Sequence, residues 1–214
     1  MAVTIDDYLA YVSPEVEGCP RGVMVRNLTA AAIRFCRQSY YLNKSQAITL
    51  LDGVRAYLLD PEPNDFSMIA VLEAKFDGRE VLIKDREWMN FNLPYWENSV
   101  GTAPQIAWSE DGVNLSVYPL PNAQVLGNLT VKMAVQPLRD SLAWLPDLAD
   151  NYLEIIAHGA KATLMMMKGR SWYDPGQAAY CEAMFKNGYL EAKREVIKGF
   201  SNQSISAHSY KLGA

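Results

Sequence analysis

The sequence predicts an α+β fold, in which both chain ends form a helical bundle and an antiparallel β-sheet is inserted between them. Three Asp-Gly dipeptides, Asp52-Gly53, Asp77-Gly78 and Asp111-Gly112, lie in the middle of the chain. Asp-Gly tolerates the positive φ angles of a type I′ turn, so between alternating apolar runs it indicates a hairpin. The two flanks instead repeat apolar residues at helical spacing.

These changes of period divide the chain of 214 residues into four parts. Residues 1–44 and 138–200 are expected to form the helical body, and residues 45–137 the β insertion, as a sandwich or a barrel-like sheet. Residues 201–214 are rich in serine and lack a helical period, so we interpret them as an extended tail.

The first helical part contains two predicted helices. Thr4 followed by Asp7 resembles a capping box and begins a short helix, which Ser13-Pro14 ends. The second helix begins at Pro20, a residue suited to a first turn, and is expected to end near Asn43. Its inward face is a stripe of apolar residues, namely Val25, Leu28, Ala32, Phe35 and Leu42.

Each Asp-Gly turn is flanked by two predicted strands. The pairs are residues 47–51 with 54–59, 68–76 with 79–84, and 105–108 with 113–118. A further strand, residues 128–135, is rich in β-branched side chains. About seven strands are therefore expected, which is enough for a small antiparallel sandwich or barrel.

Helical spacing returns near Pro146-Asp147, where Asp147 is a suitable cap. Gly159 lies inside this predicted helix, where glycine costs about 1 kcal/mol relative to alanine. Close packing of another helix at Gly159 would justify that cost. The last helix is expected to end at Gly199. Its apolar stripe is Cys181, Phe185, Tyr189, Ala192 and Val196.

Composition and charge limit the possible classes of function. The formal net charge is −4 and the isoelectric point is about 5.3, which argues against a protein that grips the phosphates of nucleic acid. There is no signal-peptide pattern and no apolar run of about 18 residues, so we expect no membrane anchor. Cys19, Cys36 and Cys181 are interpreted as unpaired thiols from a reducing compartment.

The sequence contains no motif that predicts catalysis, a metal or a cofactor. His158 has Lys161 and Ala162 where a helical metal site would need a second ligand. Gly-x-Ser-x-Gly, His-Glu-x-x-His, Cys-x-x-Cys and a phosphate-binding glycine loop do not occur. We therefore expect that the protein is not an enzyme and has no catalytic residue, metal site or cofactor.

Residues 85–103 form the longest connection without a clear period, and connections of this length are often functional. Three interpretations fit its aromatic residues: buried anchors for a long loop, a contact with a partner protein, and a sugar site. The residues expected to contact a partner protein are Trp88, Phe91, Tyr95 and Trp96.

Short motifs with a distinctive order are spread along nearly the whole chain. Toward the amino end they are Tyr11-Val12, Gly18-Cys19-Pro20, residues 30–36 and Ser39. In the predicted sheet they are Leu51-Asp52-Gly53, Tyr57-Leu58-Leu59, residues 101–104 and residues 115–121. In the closing helices they are Leu145-Pro146-Asp147, residues 158–162 and Trp172-Tyr173-Asp174. This order resembles the head-to-tail adaptor (connector) proteins of tailed bacteriophages, in particular the tail tubular protein A type.

The resemblance implies a virion structural protein that is made in the host cytoplasm and located in the neck or tail region. Such adaptors form a homo-oligomeric ring, usually of twelve copies, between the portal protein and the downstream tail or nozzle protein. The ring lines the DNA exit channel, so DNA passes through it during ejection without sequence-specific binding. The resemblance implies no catalytic residues.

The tail is a predicted portal-binding segment. Ile205, His208, Tyr210 and Leu212 alternate with polar residues, which is the pattern of an extended strand that adds to a sheet edge or groove. The alternative is a disordered end without a partner.

Two other classes of function stay open at this point. One is a carbohydrate-binding or receptor-binding tail component that uses exposed tryptophans, with Trp88, Trp96 and Trp108 as the candidates. The other is an uncharacterised enzyme.

Overall fold

A computed structural model describes residues 3–61, 65–122 and 125–198, without the side chains of residues 125–128. Within these residues the chain forms five α-helices: α1 (Ile5–Leu9), α2 (Arg21–Ser39), α3 (Arg86–Asn92), α4 (Leu145–Leu164) and α5 (Pro175–Lys198). The same residues form nine strands: β1 (Asn43–Leu50), β2 (Ala56–Leu58), β3 (Phe66–Phe76), β4 (Arg79–Ile83), β5 (Val100–Gly101), β6 (Ile106–Trp108), β7 (Asn114–Tyr118), β8 (Leu120–Pro121) and β9 (Val125–Pro137). The predicted mixed α+β class is confirmed.

Seven strands of the described chain form one sheet, in the order β1-β9-β3-β4-β6-β7-β2. Its neighbours are antiparallel except β4 and β6, which are parallel, with Leu82 opposite Ile106. The short strands β5 and β8 are also parallel. The prediction of a purely antiparallel insertion is therefore wrong at these two pairs. The connection from β4 to β6 is long enough for the crossover that parallel strands require.

Gln46 nearly closes this sheet into a barrel. It lies on β1, which is one edge strand, and β2 is the other. The Gln46 Nε2 donates to the Leu58 carbonyl at 3.2 Å, and its Oε1 accepts from the Asp60 N–H at 2.9 Å. The predicted barrel-like sheet is confirmed, with one side chain of β1 hydrogen-bonded across the gap to two backbone groups at the β2 edge.

The hairpin at Asp77-Gly78 is confirmed. Phe76 pairs with Arg79 across the turn. Asp77 has φ 47° and Gly78 has φ 77°, and a type I′ turn needs positive φ at both central residues.

The connection at Asp111-Gly112 also joins antiparallel strands, β6 and β7, although its loop is longer than a two-residue turn. The Asp111 carboxylate accepts from the N–H of Asn114 at 2.7 Å and from the N–H of Val113 at 2.9 Å. It also accepts from the Asn114 side-chain amide at 2.6 Å. These hydrogen bonds, the one from the Asn114 backbone first, lower the pKa of Asp111 to about 2.

The hairpin predicted at Asp52-Gly53 is wrong. β1 pairs with β9, and β2 pairs with β7. A tight turn does form, because the Val54 N–H donates to the Leu51 carbonyl at 3.2 Å and Gly53 has φ 69°. The turn redirects the chain instead of returning it, because β9 offers β1 a much longer partner than the three residues of β2.

The first helices begin as predicted but both end earlier: α1 ends at Leu9, before the predicted stop at Ser13-Pro14. Asp7 accepts the Thr4 N–H at 2.7 Å, so the expected capping interaction at α1 is present. α2 follows Pro20, as predicted, but ends at Ser39 instead of near Asn43. It ends there because Tyr40 adopts the left-handed conformation, with φ 55°.

Helices α2, α4 and α5 pack against one another at glycines. A Cβ on Gly159 of α4 would lie 2.6 Å from the Phe185 ring of α5 and 3.0 Å from the Ala31 Cβ of α2. Gly188 of α5 approaches Ile155 of α4 more closely still. The close packing predicted at Gly159 is confirmed, because any larger side chain there would hold the helices apart.

One hydrophobic cluster, here called the main core, joins the helices to the interior of the sheet. Tyr8, Phe35 and Trp144 from the helices are fully buried in it, as are Leu115 and Leu129 from the sheet. The Tyr8 and Trp144 rings meet edge to face at 5.0 Å. The three cysteines are buried free thiols, as expected.

Candidate interaction surface

Residues 85–103 are not the irregular connection that the sequence predicted. They contain α3, a 3₁₀ turn at Trp96–Asn98 and the short strand β5. The Asp85 carboxylate caps α3 by accepting the Trp88 N–H at 2.7 Å. Because α3 is only seven residues long, its helical period is too short to be read from sequence.

A second hydrophobic cluster, here called the satellite cluster, supports this segment. It consists of Met89, Trp96, Ile106 and Trp108. The rings of Trp96 and Trp108 meet at a right angle with their centroids 5.2 Å apart. The Trp96 Nε1 donates to the Asn90 side chain at 2.8 Å. The segment is thus anchored by buried aromatic residues, which is the first of the three interpretations.

The burial of these tryptophans corrects the premise of the sugar-binding alternative. Trp96 is 6% exposed and Trp108 is 4% exposed, so neither offers a ring face for stacking on a sugar. Trp88 is half-buried and lies under the Lys84 ammonium group, which is 5.0 Å from its ring centroid. No observation favours a carbohydrate site in the described residues.

Phe91 and Tyr95, in contrast, project from the segment that the satellite cluster supports, residues 85–103, here called the platform. Phe91 is 88% exposed and Tyr95 is 86% exposed, the two largest values among the exposed large hydrophobic residues of the described chain. Tyr95 also has φ 61°, a left-handed conformation that is costly for a bulky side chain. Exposed aromatic residues on a fixed platform are typical of protein contact sites.

Charged side chains fasten the platform to the barrel. Arg55 donates to the Glu97 carbonyl at 2.7 Å, and its guanidinium lies 5.0 Å from the centre of the Trp96 ring. Arg86 lies between Glu97 and Glu110, 3.5 Å from an oxygen of each. These contacts join the start of α3 and the 3₁₀ turn to the barrel, on either side of Phe91 and Tyr95.

Two titratable side chains of α4, Lys161 and His158, are buried or half-buried. Lys161 is buried, and its ammonium group contacts the Glu15 carboxylate at 2.6 Å. Burial first, and the Lys161 charge second, lower the pKa of His158. Among the residues that the structure describes, no group of three His, Cys, Asp or Glu side chains could hold a metal ion. The Lys161–Glu15 pair ties the segment before α2 to α4, which is a structural role.

The predicted portal-binding residues Ile205, His208, Tyr210 and Leu212 lie outside the described residues, as does the expected end of the last helix at Gly199. No helix in the described part of the chain is long and apolar enough to span a membrane.

A comparison with known protein families matches residues 4–204 of the chain to the family described as SU10 adaptor protein. The chain belongs to this family. The matched range includes every helix and strand that the structure describes. The protein is therefore a phage structural adaptor, a component of the virion that contacts other head or tail proteins. No curated protein matches the chain.

Membership of the SU10 adaptor protein family agrees with the coarser part of the sequence resemblance, which pointed to a phage head-tail adaptor. A structural family of this kind is typically not enzymatic. The site to look for is therefore an interaction surface, and Phe91 and Tyr95 are the leading candidates for one.

Proposed function

We propose that copies of this chain form a ring, of twelve copies, that joins the portal of the phage head to the tail or nozzle and lines the DNA exit channel. The observation that carries this proposal is the adaptor family match, which extends over residues 4–204. The order of motifs that resembles the tail tubular protein A type supports the finer assignment to the portal-to-tail junction.

We also propose that different parts of the chain face different partners. Residues 1–44 and 138–200 form one helical body that faces the portal, and residues 45–137 form a β insertion that faces the tail. The contact of Gly159 with both Ala31 and Phe185 supports a single body from the two chain ends. Residues 201–214 bind the portal through Ile205, His208, Tyr210 and Leu212.

The contact with the downstream tail component is made by Phe91 and Tyr95, and Trp88 and Trp96 position them. The difference in burial within this set supports the assignment, because truncating an exposed aromatic residue removes a contact without removing core packing. DNA passes without sequence-specific binding, in keeping with the net charge of −4.

Electron microscopy of the intact particle tests the ring directly. The expected density is a closed ring of this chain between portal and tail. Density for this chain outside any cyclic ring would reject the proposal.

A double variant tests the tail contact. Phe91→Ser with Tyr95→Ser should leave the melting temperature unchanged and weaken capture of the downstream tail component about tenfold or more. Ile197→Ser is the matched control, since Ile197 is 64% exposed on α5. Tail attachment at full strength by the double variant would remove these residues from the interface.

Deletion of residues 201–214 tests the portal contact. The truncated chain should melt like the full chain and lose capture by portal rings. Undiminished portal binding by the truncated chain would reject the docking role.

A further inference from the structure

A closed ring of identical copies needs two different, complementary surfaces on each copy, because every subunit meets its neighbours head to tail. We propose that an arginine-lined groove beside α2 binds the acidic face of α4 in the neighbouring copy. This inference rests on the ring proposed above and names the surfaces that form it.

The basic groove lies between the outer side of α2 and the residues that follow β9, with a volume of about 820 Å³. Three arginines line it, namely Arg26, Arg37 and Arg139, against the single acid Asp140. The Arg37 Nε donates to the Gln136 side chain at 2.5 Å. Arg26 and Arg139 have no ion-pair partner among the described residues. Two guanidinium groups are therefore free to pair with a partner's carboxylates.

The walls of the basic groove are partly apolar. Ala30 and Ile33 of α2 line it together with Leu138, and Leu138 is 43% exposed. A surface that combines arginine with apolar side chains is typical of protein interfaces. A DNA strand would offer phosphates to the arginines but only sugar and thymine-methyl groups to this apolar wall.

The acidic face is formed by the outer side of α4 and the adjoining α1. Asp150 and Glu154 of α4 are exposed, and neither has an ion-pair partner among the described residues. Asp150 also lines a shallow groove of about 550 Å³ with Tyr11 and with Asp6, whose carboxylate is already paired with Arg21 at 2.7 Å. Tyr11 is 46% exposed, so this face also combines charge with apolar area.

The packing of α2 on α4 directs the two surfaces away from each other. The two helices meet through the rings of Phe35 and Tyr152, whose centroids are 4.8 Å apart. At about 100° per residue, Arg26 lies about 180° from Phe35 around α2, and Arg37 lies about 160° from it. Asp150 lies about 160° from Tyr152 around α4.

The basic groove and the acidic face are therefore on opposite outer sides of the α2–α4 pair. A head-to-tail contact between copies requires this arrangement, because each copy must present one surface to the neighbour on its left and the other to the neighbour on its right. Opposite charges on the two surfaces favour this contact over one between identical surfaces, which would bring like charges together.

Charge reversal with rescue tests the interface, using the full chain assembled on the phage's own portal. The groove variant is Arg26→Glu with Arg37→Glu, and the face variant is Asp150→Arg with Glu154→Arg. Each variant alone should reduce the fraction of chain found in rings about tenfold or more, because like charges then face each other. A mixture of the two variants should restore rings, in which the variants alternate.

The matched control for the groove variant is Arg79→Glu with Arg194→Glu. It changes the net charge by the same amount at exposed residues, and it should assemble like the unaltered chain. Thermal melting confirms that each variant folds. If the groove variant melts early, Arg139→Glu replaces it, because Arg139 lies on an exposed connection.

The outcomes separate this interface from the ring itself. Normal rings from both charge-reversed variants would overturn the interface and leave the ring intact. Normal rings with reduced DNA retention in the groove variant would assign the arginines to DNA and also overturn it. No ring from the unaltered chain would overturn the ring and the interface together.

Discussion

The main core and the satellite cluster differ in how they are connected to the rest of the fold. The main core takes side chains from four helices, α1, α2, α4 and α5, and from both edges and the centre of the barrel. The satellite cluster takes its side chains from α3, the 3₁₀ turn and β6. A cluster with contributions from distant parts of the chain loses all of them when the fold opens, whereas a small cluster can open alone.

Strand β6 belongs to both clusters, because successive side chains of a strand point to opposite faces. Ala107 points into the main core, and Ile106 and Trp108 point into the satellite cluster. The platform for Phe91 and Tyr95 is therefore built on the outer face of the barrel wall. The main core and the contact surface therefore share one strand but need not share stability.

Removal of the Phe35 ring from the main core should have the largest effect on the free energy of unfolding. Phe35 is fully buried and contacts Tyr152 on α4 and Tyr41 before β1. Phe35→Ala should lower the free energy of unfolding by about 4 kcal/mol, because it leaves a cavity between helices and sheet. Denaturant unfolding measures this change. A loss below about 1 kcal/mol would show that the main core does not hold the fold together.

Substitution of Gly159, at the contact between α4 and α5, should have the second largest effect on stability. Gly159→Ala would place a Cβ 2.6 Å from the Phe185 ring, and we expect it to destabilise the fold by about 2 kcal/mol through overpacking. Gly22→Ala is the matched control, because a Cβ on Gly22 meets nothing within 4 Å. The control should stabilise α2 by about 0.5 kcal/mol. Equal melting temperatures for both variants would contradict the close approach of the helices.

Trp96→Ala should have a smaller effect on global stability, about 1 kcal/mol. The reason is that the satellite cluster can open by itself, so the cost of the substitution cannot exceed the free energy of that local opening. Amide hydrogen exchange in α3 should accelerate about tenfold or more while exchange in α2 stays slow. A loss as large as that of Phe35→Ala would show that the two clusters unfold as one unit.

The smallest effect should be a local pH dependence at Asp111. The folded-state pKa is lowered to about 2 from an ordinary value of about 3.9. The contribution to stability is therefore complete above about pH 4 and is lost as the pH falls through about 2. The protection factors of the Val113 and Asn114 amides, which are corrected for the pH dependence of intrinsic exchange, should fall over this range. Asp111→Asn should abolish this dependence, and an unchanged profile in that variant would assign it to another group.

The local signals in the sequence were dependable where one short segment decides the structure. The type I′ turn at Asp77-Gly78, the capping interaction at Thr4 and the start of α2 after Pro20 depend on neighbouring residues alone. Gly159 was predictable for a related reason, since a glycine inside a long amphipathic helix costs stability unless another helix packs there.

The partners of the strands were not predictable in the same way. Asp52-Gly53 makes a turn, but its flanking strands pair with β9 and β7. Turn chemistry acts over four residues, whereas pairing depends on the length and burial of strands far along the chain. The parallel pair of β4 and β6 depends on a crossover that contains α3, a helix too short to show a period.

For the interaction surfaces, too, some features follow from the sequence alone and others depend on long-range packing. The sequence alone identified the aromatic segment of residues 85–103 and, through an ordered set of motifs, a phage adaptor, because composition and motif order are properties of the chain itself. Only the tertiary structure decided that Trp96 is buried and that Phe91 and Tyr95 are exposed. It also decided that Arg26 and Asp150 lie on opposite sides of a packed helix pair. The physical reason is that a side chain is exposed or buried according to which other parts of the chain pack over it. This packing joins residues that are distant in sequence.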